Sequence, residues 1–211
     1  MTKAIWYFDF ISPFAYLQWQ EMERLPDNLE ISYRPVLFAG LLNHWGHKGP
    51  AEIPAKRIHT YRYCHWLAEQ RNIPLTFPPV HPFNPLKALR LAAALGGNCA
   101  TIDKIFNFIW VDGCDVDGTD GWHSLAAKLG LADADERIAA PEVKQVLENN
   151  TDEAVAAGVF GVPTFVSNGE IFWGQDGTDM FLDWLADPES FTSGEFARIA
   201  DLPYGAHRSR P

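Results

Sequence analysis

The sequence predicts an α/β fold in which one sheet is interrupted by an inserted all-helical block, and three observations carry that prediction. Strand-type runs occur only towards the two ends of the chain. The first two of these runs are joined by a helical segment, a β-α-β unit that implies a parallel pair with a right-handed crossover. The long middle stretch, from about Pro54 to Gly158, shows helical periodicity and no convincing strand.

The elements follow in order. Ala4 to Phe10 is a β-branched and aromatic run that reads as the first strand. Ser12-Pro13 then reads as an N-cap followed by proline at the first helical position, where a missing N–H costs nothing. Phe14, Leu17, Met22 and Leu25 fall along one face of the helix that follows, which Pro26 stops. Leu29 to Val36 alternates well enough to be the second strand.

In the middle, Ile102, Ile105, Phe106, Ile109 and Trp110 form the cleanest amphipathic stripe of the protein. Further helices are expected at 54–71, 85–95, 122–130 and 141–157, with Pro141 as a starter and Gly96, Gly130 and Gly158 as stops. Strand signals return at Thr164–Val166 and Glu170–Trp173, joined by Ser167-Asn168-Gly169, a strong hairpin signal. A last helix begins near Asp176 and carries Met180, Phe181, Trp184 and Leu185. This order is that of a thioredoxin-like sheet with an inserted all-helical domain. Residues 1–50 and 158–187 are expected to form the discontinuous thioredoxin-like domain and 51–157 the helical insertion. Residues 188–211 are expected to be a C-terminal tail without regular structure.

Composition narrows the function. A chain of 211 residues can bury roughly 70% of its unfolded surface without help from disulfides or metals. A net charge of −10 argues against a nucleic-acid surface. No apolar run reaches membrane-helix length, and the start of the sequence predicts no secretory signal. Cys64, Cys99 and Cys114 are odd in number and far apart, so no C-x-x-C redox pair is available. A reduced, cytoplasmic protein is expected.

Three places can carry chemistry. Ser12 lies between a strand end and a helix start, where orphan N–H groups favour negative charge; from spacing alone a plain N-cap is the commoner reading. Pro163 opens a strand in Gly161-Val162-Pro163-Thr164-Phe165, and a cis Val162–Pro163 bond would turn the Val162 backbone outward to meet an extended peptide. In Trp173-Gly174-Gln175-Asp176, the Asp176 carboxylate either caps the last helix or receives the ammonium of a bound amino-acid group.

Together these pieces closely resemble the 2-hydroxychromene-2-carboxylate isomerase family, which is related to the kappa-class glutathione transferases within the DsbA-like thioredoxin fold. The resemblance rests on Tyr7-Phe8-Asp9-Phe10 with Ser12-Pro13-Phe14, Pro54-Ala55-Lys56-Arg57, Trp110-Val111-Asp112-Gly113, Gly161-Val162-Pro163-Thr164-Phe165 and Trp173-Gly174-Gln175-Asp176. It implies glutathione as cofactor, with Ser12 as the catalytic residue hydrogen-bonding its sulfur. It further implies that Val162 pairs with the cysteinyl unit, that Trp173, Gly174, Gln175 and Asp176 hold the γ-glutamyl end, and that Asn43 and Asn84 line the pocket for a small aromatic substrate. A homodimer is implied too. The chain departs from its relatives at Leu42-Asn43, where many carry a lysine suited to a substrate carboxylate, and at Gly177, where an arginine is frequent. Lys48, Lys56 or Arg57 could replace the lost lysine.

The chemistry is consistent. A free thiol titrates near pH 8.5. Lowering that by about two units requires roughly 2.7 kcal/mol of preferential anion stabilisation. A helix N-terminus contributes up to ~1–2 kcal/mol and a charge-assisted hydroxyl hydrogen bond ~1.5–3 kcal/mol. Serine is therefore better suited to stabilising a thiolate than to attacking as a nucleophile. Two alternatives stay open: a kappa-like transferase acting on other hydrophobic electrophiles, and a non-catalytic glutathione-binding relative. No metal site is expected. Asp112, Asp115, Asp117 and Asp120 lack the register and final glutamate of a calcium loop, and His44 and His47 have no further ligand at zinc spacing.

Overall fold

The computed structural model describes residues 1–206; the last five residues of the expected tail, 207–211, lie outside the described residues. The sheet has four strands: β1 (Thr2–Phe8), β2 (Leu29–Pro35), β3 (Thr164–Ser167) and β4 (Glu170–Trp173), in the order β2-β1-β3-β4. β1 and β2 run parallel, from Thr2↔Leu29 to Phe8↔Pro35, while β3 is antiparallel to both β1 and β4. The thioredoxin-like arrangement is thus present, with the β-α-β unit at one edge and the hairpin at the other. Asn168 and Gly169 both have positive φ, 50° and 86°, the conformation a two-residue hairpin of this twist requires.

The helices between β2 and β3 are α2 (Phe38–Trp45), α3 (Pro54–Gln70), α4 (Leu86–Ala94), α5 (Cys99–Trp110), α6 (Thr119–Leu129), α7 (Ala134–Ala139) and α8 (Pro141–Ala156). They are preceded by α1 (Pro13–Trp19) and followed by α9 (Gly177–Ala186) and α10 (Gly194–Ala200). The core joins sheet and helices directly. Phe106 of α5 packs 6.3 Å from Trp6, 5.8 Å from Phe8 and 4.8 Å from Phe10, ring centre to ring centre. On the hairpin side Phe165 stacks on Phe181 of α9 at 4.6 Å.

Four expectations need correction. β1 ends at Phe8, not Phe10, because Asp9 turns inward to bond backbone N–H groups. The first helix stops at Trp19 and gives way to a 3-10 turn at Met22–Arg24. There Glu21 leaves the helix to meet Arg71 and Gln175, while Leu25 still reaches the core. α2 went unforeseen because no local side chain caps it; the cap comes from Asp9, far away in sequence. The tail is not irregular: Pro188–Thr192 forms a 3-10 turn and α10 follows. Phe191 packs 6.4 Å from Phe172, and Phe196 stacks on Phe191 at 4.5 Å.

Candidate active site

The β1–α1 turn sets the centre of the site. Ser12 is the N-cap of α1, with φ −90° and ψ 114°, and its Oγ accepts the Ala15 N–H at 3.2 Å. Its own amide donates to the Asp9 carbonyl at 3.1 Å, which tightens the turn. The Asp9 carboxylate is completely buried. It accepts from the Ile11 N–H at 3.0 Å and from the Phe38 N–H at 2.9 Å, so it ties the turn to the start of α2. Burial raises its pKa to about 7, against the opposing pull of those two N–H groups.

The strand-opening proline provides the second wall. The Val162–Pro163 bond is cis. Val162 stands before the first ladder pairs of β3, which begin at Thr164. Among the described residues its amide and carbonyl take part in no turn, loop or cap hydrogen bond. Thr164 Oγ1 fastens the loop by donating to the Gly161 carbonyl at 2.8 Å, and Trp45 Nε1 donates to the Val159 carbonyl at 2.9 Å.

Trp173 covers this loop. A Cβ on Gly161 would come within 2.5 Å of the Trp173 Nε1, so only glycine permits the indole to lie there. Phe160 meets the same indole edge-on at 5.2 Å. Gly174, at φ +88°, turns the chain and donates its amide to the Pro163 carbonyl at 2.8 Å. Gln175 is buried and donates to Glu21 at 3.0 Å. Asp176 occupies the N-cap of α9, yet its side chain makes no capping bond, and the residue is exposed. Of its two readings, helix capping is not the one observed.

A buried amide registers these pieces against each other. Gln18 of α1 accepts from Trp6 Nε1 at 2.6 Å and donates from Nε2 to the Gly174 carbonyl at 3.0 Å and to Thr178 Oγ1 at 2.9 Å. Both of its N–H donors and its oxygen are engaged, by groups from three separate parts of the chain.

Ser12, Val162 and Trp173 line one cavity of about 600 Å³. Its walls are largely apolar, from Phe14, Leu37, Phe38, Leu42 and Phe160, with Lys48, Lys56, His47 and His59 among the polar groups. Asp9 lines it too. Gly174, Gln175 and Asp176 stand just outside the lining, next in sequence to Trp173. The two asparagines are not brought there. Asn43 is exposed on α2, where its neighbour Leu42 lines the cavity instead. Asn84 is exposed, accepts the Leu86 N–H at 3.1 Å, and borders a separate depression beside Asp115 and Asp117.

Among the lining residues that sequence reasoning missed are Asp9, Tyr61 and His81. Asp9 was in view as part of a motif, but its partner Phe38 was not. Tyr61 and His81 meet across twenty residues at 2.6 Å, a pairing with no local signature. Burial among Phe77, Phe83 and Trp110 lowers the His81 pKa, although the carbonyl of Ile11 acts the other way.

Known proteins resemble the chain over most of its length. A family model described as a DSBA-like thioredoxin domain matches residues 4–186. The 2-hydroxychromene-2-carboxylate isomerase of Sphingobium xenophagum is 30% identical over 200 residues, covering 89% of this chain and 100% of the relative. The human glutathione S-transferase kappa 1 is 27% identical over 179 residues, covering 77% of this chain and 79% of the transferase. Among solved structures, a 2-hydroxychromene-2-carboxylate isomerase superposes with a TM-score of 0.77 at 25% identity, covering 91% of this chain and 100% of that one.

Proposed function

Starting from the fact that the chain belongs to the DSBA-like thioredoxin-domain family and, within it, to the 2-hydroxychromene-2-carboxylate isomerase family, we propose that it is a glutathione-dependent isomerase of an aromatic carboxylate. The observation that carries this reading is the meeting of Ser12, the Val162 backbone edge and Trp173 on one largely apolar cavity.

The residues fit glutathione. Ser12 Oγ already accepts the Ala15 N–H, so its own proton is left to donate to a sulfur anion. The Val162 amide and carbonyl present one donor and one acceptor to a cysteinyl backbone. The Asp176 carboxylate, uncommitted as a cap, is suited to the ammonium of a γ-glutamyl group. Trp173 and Gly174 shape that end, and Gln175 holds the turn through Glu21. When bound, glutathione supplies a thiolate able to add to a conjugated system and leave again, with no net redox change.

The chain's own contribution is orientation and charge. Lys48 and Lys56 line the cavity and take the place of the lysine missing at Asn43 as partners for the substrate carboxylate. Asn43 acts at most from the rim, and Asn84 from the neighbouring depression. No helix among the described residues is long and apolar enough to cross a membrane. A cytoplasmic homodimer completes the reading; the exposed Ile58 and Trp66 on α3 offer an apolar face for it.

The test is titration calorimetry with glutathione, together with the ultraviolet absorbance of bound thiolate, on wild type and Ser12→Ala. Binding with a thiolate signal that is lost in the variant is expected. Absence of binding to wild type would sink the reading. The kappa relatives favour a second one, a glutathione transferase, which would consume glutathione stoichiometrically where an isomerase regenerates it.

A further inference from the structure

The wall of the cavity formed by α3 and the segment before α4 holds polar chemistry that the glutathione site does not use. His81 Nε2 lies 2.7 Å from the Ile11 carbonyl, one residue before Ser12. A carbonyl only accepts, so Nε2 carries a proton, and in the neutral ring Nδ1 is the acceptor. Tyr61 Oη lies 2.6 Å from that Nδ1 and 2.8 Å from the His81 carbonyl. In the neutral state Tyr61 therefore donates to Nδ1. In the protonated state Nδ1–H can donate to Tyr61, whose proton then turns to the His81 carbonyl. In both states Nδ1 and Tyr61 Oη stay hydrogen-bonded to each other, so a proton can move between the two side chains without repacking. Both residues line the cavity with Ser12.

We propose that Tyr61 is a further catalytic residue and His81 its proton partner, acting together on the oxygens of a ring-closed hydroxylated substrate. This rests on the isomerase reading above. A 2-hydroxychromene-2-carboxylate is a cyclic hemiketal, and it must open before its side chain can rotate. In the opening step the C2 hydroxyl gives its proton to Tyr61 Oη as the Tyr61 proton passes to His81 Nδ1. The C2 carbonyl forms and the bond from C2 to the ring oxygen breaks, its electron pair leaving on the phenolic oxygen. That oxygen then takes the proton from Tyr61, and His81 returns its own to Tyr61. Nothing is oxidised or reduced, and both residues end as they began.

The neighbours of the pair suit this role. Phe77, Phe83 and Trp110 surround His81 and carry no charge. Arg57, one turn before Tyr61 on α3, lowers the Tyr61 pKa, although burial outweighs it. Asp9, at the end of β1, is the other titratable group on the cavity wall close in sequence to Ile11. His81 has to be neutral to take the proton, so turnover should fall as pH drops through its lowered pKa.

The experiment has a binding arm and a turnover arm, both with wild type, Tyr61→Phe and His81→Gln. In the first, affinities for 2-hydroxycinnamate and cinnamate are compared through tryptophan fluorescence. Wild type is expected to prefer the hydroxylated ligand, and Tyr61→Phe to lose the preference while still binding cinnamate. In the second, kcat for 2-hydroxychromene-2-carboxylate is expected to fall about a hundredfold in Tyr61→Phe, with the KM for glutathione unchanged. The acidic limb of the pH profile should move in His81→Gln to the one that thiolate formation alone gives, followed by the absorbance of bound glutathione. Equal ligand preference in wild type and Tyr61→Phe, or kcat within twofold, would overturn the proposal. So would an acidic limb in His81→Gln identical to that of wild type, once the ionisation of bound glutathione, read from thiolate absorbance, is taken into account. Calorimetry keeps the failures apart: wild type that binds no glutathione, or binds it without turnover, defeats the isomerase reading and this inference with it. Altered kinetics with unchanged glutathione affinity concern Tyr61 and His81 alone.

Discussion

Ser12 Oγ accepts the Ala15 amide and keeps its own proton for a partner in the cavity. Removing the hydroxyl should therefore have two separable effects. Loss of the cap is expected to cost about 1 kcal/mol in chemical denaturation. Loss of a charge-assisted hydrogen bond of about 1.5–3 kcal/mol should lower glutathione-dependent turnover roughly ten- to hundredfold in Ser12→Ala. A variant that loses stability but no turnover would reduce Ser12 to a cap. Asp9 gives a prediction in pH. Its folded pKa, about 7, lies above the usual 3.8, so the folded state holds its proton more tightly. The stability it contributes is complete below about pH 4 and is lost as pH rises through about 7. Asp9→Asn should flatten that slope in denaturation midpoints measured between pH 4 and 8. It should also cost about 1–3 kcal/mol, because an amide NH₂ cannot accept the Phe38 N–H. Ser12 was legible because serine before proline at a strand end is a local signal. Tyr61–His81 and Asp9–Phe38 were not, since each pair is made by the fold and leaves no spacing in the chain.

Gln18 links three elements: the Trp6 indole on β1, the Gly174 carbonyl after β4, and Thr178 at the start of α9. In Gln18→Leu the Trp6 indole N–H loses its partner, at about 1–3 kcal/mol, while Thr178 Oγ1 keeps the Gln175 carbonyl and the Gly174 carbonyl keeps the Gly177 amide. Stability should drop, and glutathione should bind more weakly because the turn behind Trp173 is no longer held against α1. Calorimetry showing wild-type affinity in a folded Gln18→Leu would contradict this. Strands and long helices were readable from the sequence because their apolar periods are local. α2 and the early end of α1 were hidden for one physical reason: Asp9 and Glu21 take partners from distant parts of the chain and set the element ends from there.

Across the whole molecule, one aromatic core runs from the sheet into α5, and Ile11, Phe14 and Leu37 both pack against it and line the cavity. Among the described residues, the segment after Asp187 adds Phe191 to that core but none to the cavity lining. Deleting residues 188–211 should lose about 1–2 kcal/mol of burial and lower Tm by roughly 2–8 °C. It should leave kcat within twofold. The order of elements made the fold class legible, whereas the structured tail was hidden because Phe191 and Phe196 gain order only by packing on Phe172 and each other. The central claim is that this cavity isomerises an aromatic carboxylate with glutathione held at Ser12. Its most direct test is the absorbance change of 2-hydroxychromene-2-carboxylate incubated with the protein, with and without glutathione. The account predicts turnover that requires glutathione and leaves its concentration unchanged. Turnover without glutathione, or none at saturating glutathione, would contradict it.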